Sequence, residues 1–295
     1  MQSEQIQWFP GHMAKTRRMI SENLKNVDIV IEILDARIPY SSRNPEITRL
    51  TAEKPTLLLL NKASLADPAQ NKRWQEIYTE GNTVCLLTDC ITGEGINRMA
   101  PVIKEILADK LRRYEEKGMH GRRVRAMVLG IPNVGKSSLI NRICGNKKTK
   151  VENRPGVTLD KQWVSTGIGV DLLDMPGILW PKFEERRVGE NLALTGAIRD
   201  GVLDIETLAC VLCKRLRTLY PDELAARYKL GDMAAYDELS DYDLFCTIGK
   251  KRGFLISGGE INTERTAIML LDEFRSAKIA RITLDRFSKE EVRRA

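Results

Sequence analysis

The stretch GIPNVGKSS, residues 130–138, restricts the possible folds of this chain more than any other segment. It follows the apolar run VRAMVLG and precedes the helical pattern SLINRICGN. The spacing Gly-x4-Gly-Lys-Ser lets backbone N–H groups surround phosphates where a helix begins. Lys136 would then contact the β- and γ-phosphate oxygens, and the Ser137 hydroxyl would bind Mg²⁺. The sequence therefore predicts a strand, a phosphate loop and a helix of an α/β domain.

Short aliphatic or β-branched runs alternate with helical patterns between residues 27 and 180. Nearly continuous apolar runs separated by helices are typical of a mostly parallel sheet with both faces covered. We therefore predict a doubly wound α/β domain, whose strands are the runs VDIVIEILDA, PTLLLLNKA, NTVCLLTDC, VRAMVLGIP, WVSTGIG and VDLLDMPG.

Beyond residue 181 the strand signals end and amphipathic helical patterns follow, such as DIETLACVLCKRLRTLY and NTERTAIMLLDEFRSAK. The predicted organisation is a nucleotide-binding domain over residues 1–181, with an N-terminal extension over 1–25. A smaller, all-helical domain would occupy residues 182–295.

The composition limits where the protein acts and what it binds. Lys and Arg number 47 against 40 Asp and Glu, a net charge of +7 that favours polyanionic partners. No apolar run has the length needed to cross a bilayer, and the first residues resemble neither a secretory signal nor a transit peptide. We therefore expect a cytoplasmic protein. Cys210 and Cys213 form a CxxC pair, but zinc would need further ligands and the chain has only 2 histidines, so we expect buried thiols.

Two loops downstream of the phosphate loop would complete a nucleoside triphosphate site. RPGVT contains Thr158, whose hydroxyl would complete the Mg²⁺ shell. LLDMPG ends a strand with Asp174 on the metal side and with Gly177, whose backbone N–H would meet the γ-phosphate. Either loop alone is often an ordinary turn, but together and in this order they favour a triphosphate site.

Two loops upstream are candidates for reading the nucleotide base. In NKAS, Asn61 would tie this loop to the phosphate loop and the Lys62 stem would lie along the base. In TDCITGEG, the Cys90 N–H would donate to guanine O6, an atom that adenine replaces with an amino donor. Taken separately, each loop can also be an ordinary turn at the end of a strand.

Ser64 stands where base-reading loops carry an aspartate. A hydroxyl offers one neutral acceptor, so guanine binding should be roughly 10- to 100-fold weaker than with a carboxylate. On this reasoning Ser64→Asp should tighten GDP binding. Asp67 does not replace the missing carboxylate, because Pro68 and the helical AQNKRWQEIY follow it and indicate a helix N-cap.

In chain order the motifs NKAS, DCITGEG, GIPNVGKSS, RPGVT and DMPG resemble those of the circularly permuted GTPases. WFPGHMAKTRR, DARIPYSSRNPE, DMPGILWPKF, LTGAIRDG and SGGEIN are similar to the bacterial ribosome biogenesis GTPase A family, and the resemblance spans residues 8 to about 262. It implies a GTPase, slow alone and stimulated by the ribosomal particle, that acts in late maturation of the large subunit. Its ligands would be GTP or GDP, Mg²⁺ and pre-ribosomal rRNA, and it would be a monomer off the ribosome.

The residues expected to bind the nucleotide lie in these five loops, and Ser137 and Thr158 are also the expected Mg²⁺ ligands. They are Asn61, Lys62, Ala63, Ser64, Asp89, Cys90, Asn133, Val134, Gly135, Lys136, Ser137, Ser138, Thr158, Asp174 and Gly177.

The permuted order has a physical interpretation. Termini that lie close together can be joined, and the chain opened elsewhere, without disturbing the core. INRMAPVIKEILADKLRRYEEKG would form the joining helix, and we expect the NKAS strand to lie beside the phosphate-loop strand. The DMPG loop then runs directly into the helical domain, so that loss of the γ-phosphate at Gly177 could reorient residues 182–290.

Ile178 occupies the position at which Ras-type enzymes carry a water-orienting glutamine. The resemblance offers His12, in FPGHMAK, as the catalytic substitute, although a turn or an RNA contact would explain this histidine equally well. Asn133 matches family members that bind K⁺ beside the phosphates, and a loop-stabilising amide is the alternative.

Basic residues cluster near Lys15, between Lys110 and Arg125, and near Lys250, and could neutralise RNA phosphates or form solvated faces. Two further functions stay open from the sequence. One is a nucleotide-gated RNA-binding scaffold, and the other is an enzyme acting on the small subunit or tRNA.

Overall fold

A six-stranded sheet forms the centre of the first part of the molecule. The structure, a computed structural model, describes residues 10–145, 162–180, 183–198 and 200–286, with side chains from residue 14 onward. The strand order is β3-β2-β1-β4-β6-β5, and all pairs are parallel except β5 with β6. The strands are β1 (Ile29–Asp35), β2 (Thr56–Asn61), β3 (Thr83–Leu87), β4 (Val124–Leu129), β5 (Gln162–Ser165) and β6 (Val170–Asp174). The predicted doubly wound α/β fold is confirmed.

Helices cover both faces of the sheet, which is why every residue of β1 and β2 is buried. These helices are α1 (Pro10–Leu24), α2 (Pro45–Thr51), α3 (Pro68–Tyr78), α4 (Met99–Ile106), α5 (Ala108–Glu116) and α6 (Lys136–Cys144). Asp67 caps α3 by accepting hydrogen bonds from the N–H groups of Ala69 and Gln70, as its sequence context predicted. The predicted joining helix is present as α4 and α5, which meet at Leu107.

The strand that carries NKAS is not the neighbour of the phosphate-loop strand. β1 lies between β2 and β4, so the expectation of adjacent strands was wrong. In the register of β1 with β2, Asp35 pairs with Asn61, and these two residues end their strands at the same edge of the sheet. Long side chains at this edge, and not strand pairing, connect the base loop to the phosphate loop.

Among the described residues, five α-helices form the second part of the molecule. They are α7 (Arg186–Leu194), α8 (Ile205–Leu219), α9 (Pro221–Tyr228), α10 (Asp241–Lys251) and α11 (Thr263–Arg275). Cys213 is fully buried in this layer and Cys210 is half-buried, as expected for thiols that serve packing. Over the described ranges, no group of three His, Cys, Asp or Glu side chains could hold a metal, and no helix is long and apolar enough to span a membrane.

The chain after α11 returns to the α/β part as a segment without regular secondary structure, residues 277–286. The Leu284 N–H donates to the Arg37 carbonyl over 2.8 Å, and the Trp74 Nε1–H donates to the Asp285 carbonyl over 3.2 Å. The Asp285 carboxylate accepts from the Ser41 N–H over 2.7 Å. One hydrophobic cluster includes residues from both parts, so they pack closely, and the boundary near residue 181 stays a prediction.

Candidate nucleotide-binding site

The phosphate loop joins β4 to α6 through backbone positions that admit only small residues. Gly135 has φ 105°, and a Cβ built there would lie 2.3 Å from Asn61 Nδ2. A Cβ on Gly177 would lie 2.9 Å from the Pro132 backbone nitrogen and 3.0 Å from Lys136 Nζ. The DMPG and NKAS loops therefore pack directly against the phosphate loop, as is required of three loops that form one site.

Lys136 is the first residue of α6 and is buried. Its Nζ donates to the carbonyl oxygens of Gly130 over 3.0 Å and Ile131 over 2.9 Å. Burial lowers the pKa of this ammonium to about 8, and the nearby Asp174 carboxylate partly offsets the effect. A buried cation with few compensating charges strongly favours an anionic ligand at this position.

Asp174 ends β6 and is nearly fully buried. Its Oδ1 has no hydrogen-bond partner within the described part of the chain. Burial raises the pKa of this carboxyl to about 6, although Lys136 acts in the opposite direction. The orphaned carboxylate oxygen of Asp174, which interacts with Lys136 at the start of α6, and the hydroxyl of the next residue, Ser137, are oxygen donors of the kind that suits Mg²⁺, so the residues fit the expected cation. Thr158, the other expected ligand, lies outside the described residues.

Asn61 connects both base loops to the phosphate loop. Its Nδ2 donates to the Val134 carbonyl over 2.6 Å, which confirms the predicted tie. Its Oδ1 accepts the Cys90 N–H over 3.0 Å. The Cys90 N–H that the sequence analysis assigns to guanine O6 thus has Asn61 Oδ1 as its acceptor here, and its contact with O6 stays a prediction.

Lys62 follows Asn61 in the left-handed conformation, with φ 61°. Its Nζ bonds to the Asn133 carbonyl over 2.7 Å and to Asp35 Oδ2 over 2.9 Å. Arg37 binds the same carboxylate through two bonds of 2.6 and 2.9 Å. Although burial raises the pKa of Asp35, Arg37 and Lys62 outweigh it and hold the pKa far below its usual range.

Sequence reasoning missed Asp35 and Arg37 as members of the site. The signal that could have found them is their position, since DAR begins at the last residue of a buried strand and the carboxyl ends of parallel strands share one edge. Together the two residues form a buried charge cluster that fixes the Lys62 side chain.

Ser64 has a carboxylate beside it after all. Its hydroxyl donates to Asp89 Oδ2, and Asp89 Oδ1 accepts the N–H groups of Ile91 over 2.8 Å and Thr92 over 3.0 Å. Burial raises the pKa of Asp89, but these hydrogen bonds outweigh burial and lower the pKa below its ordinary value. The Ala63 N–H bonds to the Thr88 carbonyl over 3.1 Å and holds the two base loops together.

Ile178 is a core residue in this structure. It is 3% exposed and belongs to a cluster with Met19 and Ile20 of α1, and Asn44 Nδ2 donates to its carbonyl over 3.1 Å. The helix that carries His12 in its first turn therefore packs against the DMPG loop. The His12 side chain itself lies outside the described residues.

Asn133 projects from the phosphate loop to the second part of the molecule. It has φ 60°, and its Nδ2 donates to the Gly196 carbonyl over 2.7 Å. Arg275 of α11 holds the same segment through the carbonyls of Ala193 and Leu194. Of the remaining predicted residues, Val134 is buried and Ser138, in α6, is half-buried.

The described loops thus gather at one edge of the sheet in the arrangement of a permuted GTPase site. The chain is 45% identical over 281 residues to the Ribosome biogenesis GTPase A of Bacillus pumilus, which covers 95% of this chain and 98% of that protein. The chain belongs to the ribosome biogenesis GTPase A family. The Ribosome biogenesis GTPase A of Priestia megaterium is also 45% identical, over 97% of this chain and 98% of its own length.

Other comparisons agree with this membership. Residues 125–218 match the family model described as 50S ribosome-binding GTPase. The GNP-bound YlqF of T. maritima superposes with a TM-score of 0.60 at 25% identity, over 92% of this chain and 98% of that one. This member of the ribosome biogenesis GTPase A family is therefore a GTPase with a circularly permuted G domain and a role in ribosome biogenesis.

Proposed function

We propose that this GTPase acts in late maturation of the large ribosomal subunit, binding pre-ribosomal rRNA and changing its attachment between the GTP and GDP states. The observation that carries the proposal is the position of Asn61. One side chain accepts from the Cys90 N–H and donates to the Val134 carbonyl, so it holds a base loop and the phosphate loop together, which supports a single guanine nucleotide site. The family model, whose description names the 50S ribosome, supports the large subunit as the partner.

Each part of the nucleotide has a candidate contact in the described chain. Lys136 would move from the loop carbonyls to the β- and γ-phosphates, and the Gly177 N–H would meet the γ-phosphate. Ser137 and Asp174 would hold Mg²⁺, which supplies positive charge against the phosphate oxygens. Thr158 completes this set in the proposal, and a K⁺ ion beside Asn133 would add further charge.

The attacking water needs a residue other than Ile178, whose side chain is apolar and buried. His12 is the proposed substitute, because α1 packs on the segment that follows the DMPG loop. His12→Ala should lower turnover on the ribosomal particle and leave GDP affinity unchanged. Turnover equal to that of the unchanged protein would remove His12 from catalysis.

The nucleotide state has a direct connection to the helical layer. Asn133 bonds to the Gly196 carbonyl and Arg275 holds the same turn, so movement of the phosphate loop would reach α11. Hydrogen exchange should differ between GDP and a non-hydrolysable GTP analogue within residues 183–198 and 263–275. Identical exchange in both states would refute the switch.

RNA contact is proposed for the surface formed by α5, the loop after it and the start of β4. Exposed basic residues there are Arg112, Arg113, Lys117, Arg122, Arg123 and Arg125. Two aromatic rings accompany them, since Arg125 lies 5.6 Å from the Trp163 ring and Arg122 lies 4.1 Å from the Tyr114 ring. Binding through such a surface should weaken steeply as salt rises.

Off the ribosome the protein would be a cytoplasmic monomer. The decisive experiment measures its GTP and ATP turnover alone, with isolated large subunits and with isolated small subunits. We expect stimulation of GTP turnover by the large subunit only, and Lys136→Ala serves as the inactive control. Stimulation by the small subunit would redirect the proposal to that particle. Nucleotide-dependent binding without turnover would instead indicate a scaffold.

A further inference from the structure

The side chains of Ser64 and Asp89 form one hydrogen-bonded pair between the two base loops. Ser64 follows β2 in NKAS, and Asp89 follows β3 in TDCITGEG. Asp89 directly precedes Cys90, whose N–H donates to Asn61 Oδ1. The pair therefore joins the two loops that the sequence assigns to base reading.

The two members of the pair differ in what they present to the site. Asp89 is only 3% exposed, and both of its oxygens are used, by Ser64 and by the N–H groups of Ile91 and Thr92. Ser64 is half-exposed. Because an ionised carboxylate can only accept, the Ser64 hydroxyl must donate its proton inward to Asp89. The hydroxyl then has no proton left for a ligand, so toward a bound base Ser64 can act only as an acceptor.

We propose that the Ser64–Asp89 pair selects guanine, with Asp89 as a positioning residue that turns Ser64 into a fixed acceptor for guanine N1–H. This inference rests on the proposed guanine nucleotide site. Adenine carries a lone pair at N1, which would meet the lone pairs of Ser64 and be rejected. Asp89 thus supplies the negative charge that position 64 lacks, and this charge acts on the base through the Ser64 hydroxyl.

The pair reverses the effect that sequence alone predicts for Ser64→Asp. A carboxylate at position 64 would stand beside the Asp89 carboxylate, and two adjacent negative charges disfavour each other. Ser64→Asp should therefore weaken GDP binding in the otherwise unchanged protein. The double variant Ser64→Asp/Asp89→Ser keeps one carboxylate and one hydroxyl with their places exchanged, and should bind GDP tightly again.

The test measures Kd for GDP, inosine diphosphate and ADP, with Mg²⁺, in the full-length protein. In Asp89→Asn the amide can donate to Ser64, which frees the hydroxyl proton to point at the base. GDP affinity should fall roughly 10- to 100-fold while ADP affinity does not fall, so the selectivity ratio collapses. In the exchanged double variant a carboxylate faces both N1–H and the exocyclic amine, so the preference for GDP over inosine diphosphate should rise.

A purely structural role for Asp89 would weaken all three nucleotides equally, so an unchanged GDP/ADP ratio in Asp89→Asn overturns the proposal. Tighter GDP binding by Ser64→Asp alone overturns it too. Asp67→Asn is the matched control, since this cap carboxylate lies on the same loop and should leave the ratio unchanged. If the unchanged protein does not prefer GDP to ADP, the guanine site itself fails, a result distinct from loss of the pair's role.

Discussion

Removal of the Arg37 guanidinium should damage both stability and nucleotide binding. Arg37 and Asp35 are 2% and 3% exposed, and Arg37 also donates to the Arg275 carbonyl of α11 over 3.2 Å. In Arg37→Ala the buried Asp35 carboxylate keeps Lys62 as its one close cation. The Lys62 side chain loses the geometry set by the shared carboxylate, and the base loop loosens.

The expected cost follows from this burial. Breaking a buried ion pair lowers the free energy of unfolding by about 3–5 kcal/mol. Because Lys62 still pairs with Asp35, we expect the loss in Arg37→Ala to lie at the lower end, about 3 kcal/mol. With a urea m-value of about 3 kcal/mol/M, the denaturation midpoint should fall by about 1 M. Because the folded pKa of Asp35 is depressed, its stabilisation is present above the unfolded pKa of about 4 and is lost as pH falls further. The difference in stability between the unchanged protein and Arg37→Ala should therefore shrink below about pH 4.

Urea denaturation followed by circular dichroism measures the midpoint, and GDP titration measures the binding defect. Arg123→Ala is the matched control, because Arg123 pairs with Asp171 over 2.8 Å while 42% exposed and should cost less than about 1 kcal/mol. Arg37→Lys retains the charge but not the two-bond geometry, so its loss of stability should lie between the losses of Arg37→Ala and Arg123→Ala. A loss below about 1 kcal/mol in Arg37→Ala, equal to the control, would refute the reasoning.

Three further perturbations test other parts of the structure. Gly135→Ala should reduce GDP affinity at least about 10-fold by calorimetry, because the new Cβ would lie 2.3 Å from Asn61 Nδ2, and unchanged affinity would contradict the packing. Asp174→Asn should abolish Mg²⁺-dependent GDP binding. Burial raises the pKa of Asp174 to about 6, so the ionised form is disfavoured in the fold and the unchanged protein should lose stability as pH rises from about 4 to about 6. In EDTA this loss should be smaller in Asp174→Asn. Asp285→Ala should cost about 2–4 kcal/mol and speed hydrogen exchange in residues 277–286, because the Ser41 N–H and the Asn191 amide lose their buried acceptor; unchanged exchange would show that other contacts hold this segment.

The strands and the phosphate loop were predictable because their signals are local. A buried parallel strand is an apolar run, and a phosphate loop needs its glycines, lysine and serine within a few positions of one helix start. The Asp67 cap is local in the same sense, since its acceptor atoms bond to N–H groups two and three residues away. Such features need no knowledge of the rest of the chain.

The sequence by itself determined the α/β class and the permuted order of the nucleotide loops, and it predicts which residues face the phosphates. Only the tertiary structure decided which charged side chain interacts with which loop residue. Asp89 supplies the carboxylate at Ser64, and Asp35 with Arg37 fixes Lys62, although no periodicity marks either pairing. Segment 277–286 likewise bonds to loops that follow β1 and β2, through the N–H groups of Leu284 and Ile282. These contacts join residues far apart in the chain, and they exist only because parallel strands bring their carboxyl ends to one edge, where buried polar groups must find partners.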